Sequence, residues 1–276
     1  MKYLDNLLLG LLISGLIGVL AYRRGSLAVS GVLGAMIDGT LIFGLGGWAW
    51  GLTLITFFVS SSLLSHYKQG LKADLAEKFA KGHRRDLGQT LANGGAGALM
   101  AFAYALWGAP ALLAAFVGAL ATVNADTWAT ELGVLNPSPP RLITNGEVVE
   151  VGTSGGVSWL GTSASAAGAL VIGLAMWTFL WLGDLLGGGR PTLTLWWTVP
   201  AALAGGMTGS LVDSLLGASV QAIYYCPTCG KETEKQLHGC GTLTRRQRGW
   251  RWLNNDVVNF ISSLAGALAA VGVFLL

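Results

Sequence analysis

The stretch 109-APALLAAFVGALATVNADTWATELG-133 begins as an apolar run and ends in polar residues that include one asparagine and two acids. Its first half has the composition of a membrane-spanning helix, whereas its second half carries groups that hydrocarbon does not solvate. Such an ending is typical of two situations. It is either a helix end exposed to water or part of a functional site.

The composition of the whole chain indicates an integral membrane protein. The 276 residues are 53% hydrophobic and 11% charged, with a mean hydropathy of +0.58, whereas soluble domains carry about 25% charged residues. Apolar segments long enough to cross about 30 Å of hydrocarbon predict an all-α, polytopic bundle of about eight transmembrane helices in a single membrane domain, 1–276. The predicted spans are 4–21, 27–44, 47–65, 90–107, 109–123, 157–182, 193–218 and 257–276.

The basic residues predict the orientation of this bundle. Fifteen of the 17 lysines and arginines fall in loops on one side, and only Lys2 and Arg190 fall on the other. The positive-inside rule therefore predicts that both termini lie outside. The expected location of the protein is the plasma or inner membrane of a prokaryote. The cytoplasmic segments would be a basic loop (66–89), a phosphate-binding loop (124–156) and a Cys/His loop (226–251).

The formal net charge of +3 does not call for a nucleic-acid partner. Basic loops beside anionic lipid or an anionic substrate account for it. Arg84 and Arg85 can attract anions in this way, although basic inner loops are ordinary. The 41 glycines suit close helix packing in the lipid bilayer. The oligomeric state stays open, with a homo-oligomer as one option.

Under this topology, four predicted helices bring polar side chains to the cytoplasmic boundary at similar depth. These are Asn93 on the fourth helix, Asn124, Asp126, Thr130 and Glu131 on the fifth, Asp213 on the seventh, and Asn255, Asp256 and Asn259 on the eighth. Asp126 and Thr130 are four residues apart and share a helix face, as do Asn255 and Asn259. A solvated helix end is the ordinary alternative for each acid. Asp213 fits it least, because ionisable groups inside spans are costly.

The segment 151-VGTSGGVS-158 adds a second kind of chemistry. Thr153, Ser154, Gly155 and Gly156 come directly before the sixth predicted span. Free backbone N–H groups and the positive dipole end at a helix N-terminus favour anions, so the segment predicts a phosphate site. The alternative is a helix N-cap after a flexible turn. Nearby carboxylates favour phosphate together with Mg²⁺. No Walker loop, protein-kinase motif or GxSxG sequence is present in the chain.

All three cysteines lie between the last two predicted helices. Cys226, Cys229, His238 and Cys240 follow the pattern C-x2-C-x8-H-x-C, which supplies the four soft ligands of a structural Zn²⁺ site. A cytoplasmic loop argues against disulfides. The alternative is a set of reduced cysteines without a metal.

Several motifs together resemble the family of integral membrane proteins related to transmembrane protein 19. They are 124-NADTWATELG-133, 144-TNG-146 with 151-VGTSGGVS-158, 209-GSLVDSLLGA-218, 226-CPTCG-230 with 238-HGCG-241, and 254-NNDVVNF-260. They cover predicted helices four to eight with their loops. The family includes the phytyl-phosphate kinase of plants and cyanobacteria, which works in tocopherol biosynthesis.

The resemblance implies a Mg²⁺-dependent kinase of isoprenoid metabolism. It would transfer a phosphoryl group from a nucleoside triphosphate, CTP or ATP, to an isoprenyl monophosphate and form the diphosphate. Phosphoryl transfer needs mainly positioning and charge neutralisation. Asp126, Asp213 and Glu131 would then be catalytic, and Asp126, Asp213 and Asp256 would bind Mg²⁺. The expected substrate and nucleotide contacts are Asn93, Asn124, Thr130, Asn145, Thr153, Ser154, Gly155, Gly156, Asn255 and Asn259.

Three other functions fit parts of this pattern. A membrane cytidylyltransferase acting on a lipid phosphate would use the same groups. An ion or solute transporter also places acids in glycine-broken helices, but it favours sites at the membrane midplane rather than near one face. A purely structural membrane protein is the third alternative.

Overall fold

The computed structural model describes residues 3–68, 84–187 and 193–276. Within these ranges the chain forms eight α-helices, which confirms the predicted all-α bundle. They are α1 (Leu4–Arg23), α2 (Val29–Leu41), α3 (Trp48–His66), α4 (Leu87–Trp107), α5 (Ala111–Gly133), α6 (Trp159–Leu186), α7 (Thr198–Ser219) and α8 (Asn255–Phe274). A π-helical turn, Ile42–Gly46, continues α2, and a 3-10 turn, Leu193–Trp197, precedes α7. Most of the predicted basic loop 66–89 lies outside the described residues.

Seven of the eight described helices are long and apolar enough to cross a membrane. The exception is α4, where Gln89, Asn93 and several glycines lower the hydropathy of the segment. This helix packs against α2, α5 and α8. The polar residues that lower its hydropathy are therefore part of the bundle.

The fifth helix is longer than its predicted span, 109–123. It continues to Gly133, so the polar stretch 124–133 is helical and the following loop begins ten residues later than predicted. The polar groups are accommodated because the bundle supplies hydrogen-bond partners. Asn124 bonds to two other helices, and Glu131 accepts from Ser65 on α3 at 2.7 Å. Within α5, Thr127 Oγ1 donates to the Val123 carbonyl at 2.7 Å. A polar sequence can therefore stay helical where tertiary partners satisfy it.

Helix α5 occupies the centre of the bundle and packs against α3, α4, α6, α7 and α8. It runs parallel to α7 and antiparallel to α8, and the three helices meet at Gly118, Gly205 and Gly266. A Cβ atom on Gly205 would lie 2.7 Å from the Gly118 Cα and 2.7 Å from the Gly266 carbonyl oxygen. Only hydrogen fits there, so glycine at these positions sets how closely the three helices approach.

Two small β-structures follow the parallel helices α5 and α7, and so lie at the same end of the bundle. Strands β1 (Arg141–Leu142) and β2 (Gly156–Val157) pair in antiparallel fashion after α5. After α7, strands β3 (Ile223–Cys226), β4 (Lys231–Thr233) and β5 (Arg245–Arg248) form an antiparallel sheet in the order β4-β3-β5. The distribution of basic residues predicts that this end is cytoplasmic.

The start of α4 is attached to the start of α2 at the same end. Arg85 N donates to the Ser26 carbonyl, and Ala28 N donates to the Arg85 carbonyl, each at 3.0 Å. Asp86 then caps α4 by accepting from Gln89 N at 2.9 Å. These bonds hold the backbone of Arg85 in place between the two helices.

Candidate functional site

A polar cavity of about 340 Å³ lies at the end of the bundle that carries the β-structures. Its volume falls within the range of small-molecule sites, about 300–1,000 Å³. Most of the residues that the sequence predicted as site residues, on separate helices and loops, come together on its wall. These are Asn93, Asp126, Thr130, Glu131, Thr153, Ser154, Gly155, Gly156, Asp213, Asn255, Asp256 and Asn259.

The glycine contact between α5 and α7 explains why two acids converge. Asp126 lies eight residues after Gly118, and Asp213 lies eight residues after Gly205. Because the helices are parallel and rise 1.5 Å per residue, both acids stand about 12 Å beyond the contact. Both carboxyl groups line the cavity, and Glu234 adds a third acidic side chain to its wall. The cavity thus collects acidic groups that a cation can bind.

The three acids expected to bind Mg²⁺ do not form a compact ligand set by themselves. In the part of the chain that the structure describes, the Cys/His cluster alone has three or more metal-binding atoms within 4.8 Å of one another. Mg²⁺ usually takes one or two carboxylates and completes its shell with water and substrate phosphates. Asp126 and Asp213 can supply such carboxylates, and the Oδ2 of Asp213 is buried without a hydrogen-bond partner.

Four residues on the cavity wall carry buried polar atoms without a hydrogen-bond partner. They are Arg85 (Nη1), Ser165 (Oγ), Asp213 (Oδ2) and Asn259 (Oδ1). Folded proteins leave few buried polar atoms unpaired, and such atoms call for an explanation. Their concentration around one cavity indicates that water or a polar ligand occupies it. Ser165 was missed by the sequence analysis, and its only signal is a hydroxyl in the apolar segment of α6.

Hydrogen bonds between helices orient several of the lining side chains. Ser65 Oγ on α3 donates to Glu131 Oε1 on α5 at 2.7 Å. Asn259 Nδ2 on α8 donates to Asn93 Oδ1 on α4 at 3.4 Å. These contacts join polar side chains of neighbouring helices around the cavity.

Two residues expected to contact substrate lie elsewhere. Asn124 is fully buried, and its Oδ1 accepts from Ser60 and Ser61 Oγ at 3.1 Å each. Its Nδ2 donates to the Gly168 carbonyl at 2.8 Å, so the amide joins α3, α5 and α6. Asn145 is exposed in the turn after β1 and accepts from Glu147 N at 3.1 Å.

The glycine-rich segment reaches the cavity as a turn rather than as the first turn of a helix. Gly152 and Gly155 have φ of 83° and 84°, a left-handed conformation that favours glycine. A Cβ on Gly155 would lie 2.6 Å from the Ala218 Cα at the end of α7. The turn therefore packs directly against the helix that carries Asp213.

Helix α6 begins at Trp159, two residues later than predicted, and has its own cap. Ser158 Oγ accepts from Gly161 N at 3.1 Å. The Ser158 hydroxyl thus occupies the N-terminus of α6, where the sequence predicted a phosphate.

The turn is also attached to the three-stranded sheet. The buried Gln221 accepts from Ser154 Oγ at 3.0 Å and donates to Glu234 Oε1 at 2.8 Å. Arg248 on β5 donates to the Gly217 carbonyl at 2.8 Å and to the Ser154 carbonyl at 3.4 Å. The position of the turn therefore depends on the sheet that follows α7.

The same sheet carries the Cys/His cluster, which can hold a metal ion. The Sγ atoms of Cys226 and Cys240 lie 3.7 Å apart, and Cys229 Sγ lies 3.6 Å from His238 Nδ1. A tetrahedral zinc with Zn–S bonds of about 2.3 Å separates two sulfur ligands by about 3.8 Å. Hydrogen bonds from Thr242 and His238 lower the pKa of Cys240 to about 6, whereas the hydrogen bond with Cys240 raises the pKa of Cys229 to about 11. Cys240 is therefore the thiol of this pair that ionises first.

Comparison with known proteins places the chain in a family. Residues 12–267 match the profile described as integral membrane protein DUF92. Protein PGR of Arabidopsis thaliana is 33% identical, with 98% of each chain covered. An uncharacterized membrane protein of Methanocaldococcus jannaschii is 30% identical, with 99% of this chain and 97% of that protein covered.

A further relative is the chloroplastic protein VTE6 of Arabidopsis thaliana. It is 28% identical, with 89% of this chain and 64% of that protein covered. No solved structure matches the chain significantly. The profile match and the two relatives of similar length bear out the motif resemblance. The chain belongs to the DUF92 family of integral membrane proteins.

Proposed function

We propose that the protein is a membrane-bound prenyl-phosphate kinase that uses Mg²⁺ and a nucleoside triphosphate, CTP or ATP. It would convert an isoprenyl monophosphate to the diphosphate. The observation that carries this proposal is the polar cavity in which Asp126 and Asp213, from two parallel helices, face a glycine-rich turn. Carboxylates opposite backbone and hydroxyl donors suit a metal-bound polyphosphate.

The location of the cavity suits a lipid substrate. It lies where the helices meet the extramembrane β-structures, so a phosphate could enter it while a hydrocarbon chain stays among the helices. The motif resemblance to a family that includes the phytyl-phosphate kinase supports this activity.

The chain would act mainly by positioning its substrates. Asp126 and Asp213 would hold the Mg²⁺ that neutralises phosphate charge. The Thr153 hydroxyl and the backbone N–H of Ser154 would donate hydrogen bonds to the nucleotide phosphates, because the Ser154 hydroxyl already donates to Gln221. A terminal oxygen of the prenyl monophosphate would attack the γ-phosphorus. The bond from that phosphorus to the bridging oxygen would break, and the nucleoside diphosphate would leave. No general base is required, because the attacking phosphate oxygen is already ionised near neutral pH.

The direct test uses purified protein in detergent with Mg²⁺, CTP or ATP, and geranylgeranyl or phytyl phosphate. We expect equal amounts of prenyl diphosphate and nucleoside diphosphate. Asp126→Asn and Asp213→Asn should each lower kcat/KM by about 100-fold or more. The matched control is Asp184→Asn. Asp184 lies near the C-terminal end of α6, away from the cavity, so this variant should retain activity.

Other products would identify a different function. Release of pyrophosphate with transfer of the nucleotide to the lipid would indicate a cytidylyltransferase. No product with any nucleotide and prenyl phosphate would overturn the kinase proposal and favour transport.

A further inference from the structure

A second cavity adjoins the polar one, and Arg85 lines both. This cavity of about 80 Å³ lies among α1, α2, α3 and α4. Its wall is mainly apolar and includes Ile13, Ile17, Leu54, Ile55, Phe57 and Phe58. Asn93 also faces both cavities. Arg85 and Asn93 therefore mark a boundary between a polar and an apolar compartment.

Arg85 is held rigidly at this boundary. Its backbone bonds to Ser26 and Ala28, and its guanidinium lies over the rings of Phe57 and Phe58, 5.7 Å and 5.9 Å from their centroids. The Nη1 atom is buried and has no hydrogen-bond partner. Guanidinium nitrogens only donate, and their planar arrangement matches phosphate oxygens.

Arg85 also supplies the positive charge that the rest of the described cavity wall lacks. In the described part of the cavity wall Arg85 is the single basic residue, among the acidic residues Asp126, Glu131, Asp213, Glu234 and Asp256. Burial lowers the pKa of Arg85, and the charge of Glu131 acts in the opposite direction. Glu131 offsets part of the charge of Arg85, but the Nη1 donor has no hydrogen-bond partner. A phosphate oxygen that reaches Nη1 would form a charge-assisted hydrogen bond with it.

We propose that Arg85 binds the phosphate of the acceptor lipid and that the apolar cavity holds the isoprene unit next to it. The inference rests on the proposed kinase function and assigns its acceptor subsite. An amphiphile lying across the boundary would place its phosphate among the polar groups and its first carbons against Phe57 and Phe58. Because a dry cavity of about 150 Å³ admits benzene, 80 Å³ holds about one isoprene unit at most. The rest of the chain would continue between helices towards lipid.

The first test measures binding of three ligands to wild-type protein and Arg85→Ala in detergent: geranylgeranyl phosphate, geranylgeraniol and CTP. We expect the variant to bind geranylgeranyl phosphate about 10- to 100-fold more weakly, as for loss of a charge-assisted hydrogen bond. Affinity for CTP should change less than about twofold, and the preference for the phosphate over the alcohol should disappear. Arg85→Lys should restore part of the affinity, because it keeps the charge but loses the planar fork.

Loss of CTP affinity in place of prenyl-phosphate affinity would overturn the assignment, and so would unchanged affinity for both ligands. Melting temperature and size-exclusion profile establish that Arg85→Ala is folded. If it does not fold, Ala35→Leu provides the second test, since Ala35 lines the apolar cavity.

The matched control for Ala35→Leu is Gly95→Leu. Gly95 lines a separate, more open apolar groove of about 510 Å³ between α2, α4 and α8, and its added Cβ would make an ordinary 3.7 Å contact with Phe260. We expect Ala35→Leu to weaken geranylgeranyl phosphate binding about tenfold or more and Gly95→Leu to change it less than about twofold. The reverse result would place the hydrocarbon chain in the open groove and overturn the proposal.

Failure of this inference differs from failure of the kinase proposal. If wild-type protein binds geranylgeranyl phosphate through Arg85 but forms no diphosphate, the lipid-phosphate site stands and the kinase proposal fails. If the diphosphate forms and Arg85→Ala keeps the wild-type KM for the prenyl phosphate, the kinase proposal stands and the acceptor subsite fails.

Discussion

Replacing Gly205 with alanine should separate the three helices that bring the acids together. The added Cβ would lie 2.7 Å from the Gly118 Cα and 2.7 Å from the Gly266 carbonyl oxygen, on opposing helices. Carbon atoms in contact prefer about 3.5–4.0 Å, so the helices must move apart by about 1 Å. Both neighbours are backbone atoms, so no side-chain rotation can relieve the overlap. Because they belong to different helices, a shift of α7 away from α5 does not relieve the contact with α8.

The expected cost follows from this overlap. Overpacking of a dense interior typically costs about 1–3 kcal/mol. For a chain of this size, that cost corresponds to a decrease in melting temperature of about 2–12 °C. Asp126 and Asp213 lie about 12 Å beyond the contact, so separation of α5 and α7 also displaces the carboxylates. A displacement of about 1 Å can lower the rate of a positioned reaction about 100-fold.

Gly272→Ala is the control within the same bundle, because a Cβ added at this position on α8 would meet no neighbouring atom of the described chain within 4 Å. It should leave melting temperature and prenyl diphosphate formation near wild-type values. The assays are thermal unfolding in detergent and kcat/KM for the prenyl phosphate. If Gly205→Ala behaves like Gly272→Ala in both, the glycine contact does not determine the convergence of the acids.

Two further predictions concern the sheet that follows α7. Purified protein should contain about one zinc ion per chain, and Cys229→Ser should lower both the metal content and the melting temperature; equal metal content in the variant would contradict the zinc assignment. Gln221→Ala removes hydrogen bonds to Ser154 and Glu234, so it should destabilise the turn by about 1–3 kcal/mol and raise the KM for the nucleotide. Gln236→Ala, in the loop between β4 and β5 and bonded to Tyr224, is its control, and identical KM values for the two variants would show that Gln221 does not position the turn.

The polar stretch 124–133 shows how far local sequence can predict a site. Its acids and amides indicated a functional region, and Asp126 does line the cavity. Asn124, two residues earlier, instead bonds to α3 and α6. Two residues correspond to about 200° around a helix, so the side chains point in different directions. Which direction faces the cavity depends on neighbouring helices that are distant in sequence.

The Cys/His cluster is the opposite case. Its four residues lie within 15 positions of the chain, and their spacing alone predicted a compact set of metal-binding atoms. Short loops restrict the arrangements that such residues can adopt. The ligand set could therefore be recognised without knowing how the helices pack.

For the described residues, the sequence by itself determined the eight helices and, apart from the extension of α5 to Gly133, their approximate ends. It also determined the membrane class and the family motifs, because these features depend on local hydropathy and on residues close together in the chain. Only the tertiary structure decided which polar side chains share a cavity, why α5 stays helical to Gly133, and that Arg85 stands between polar and apolar compartments. Those features depend on close glycine contacts and on hydrogen bonds between segments 40 or more residues apart, and no local pattern in the chain encodes them.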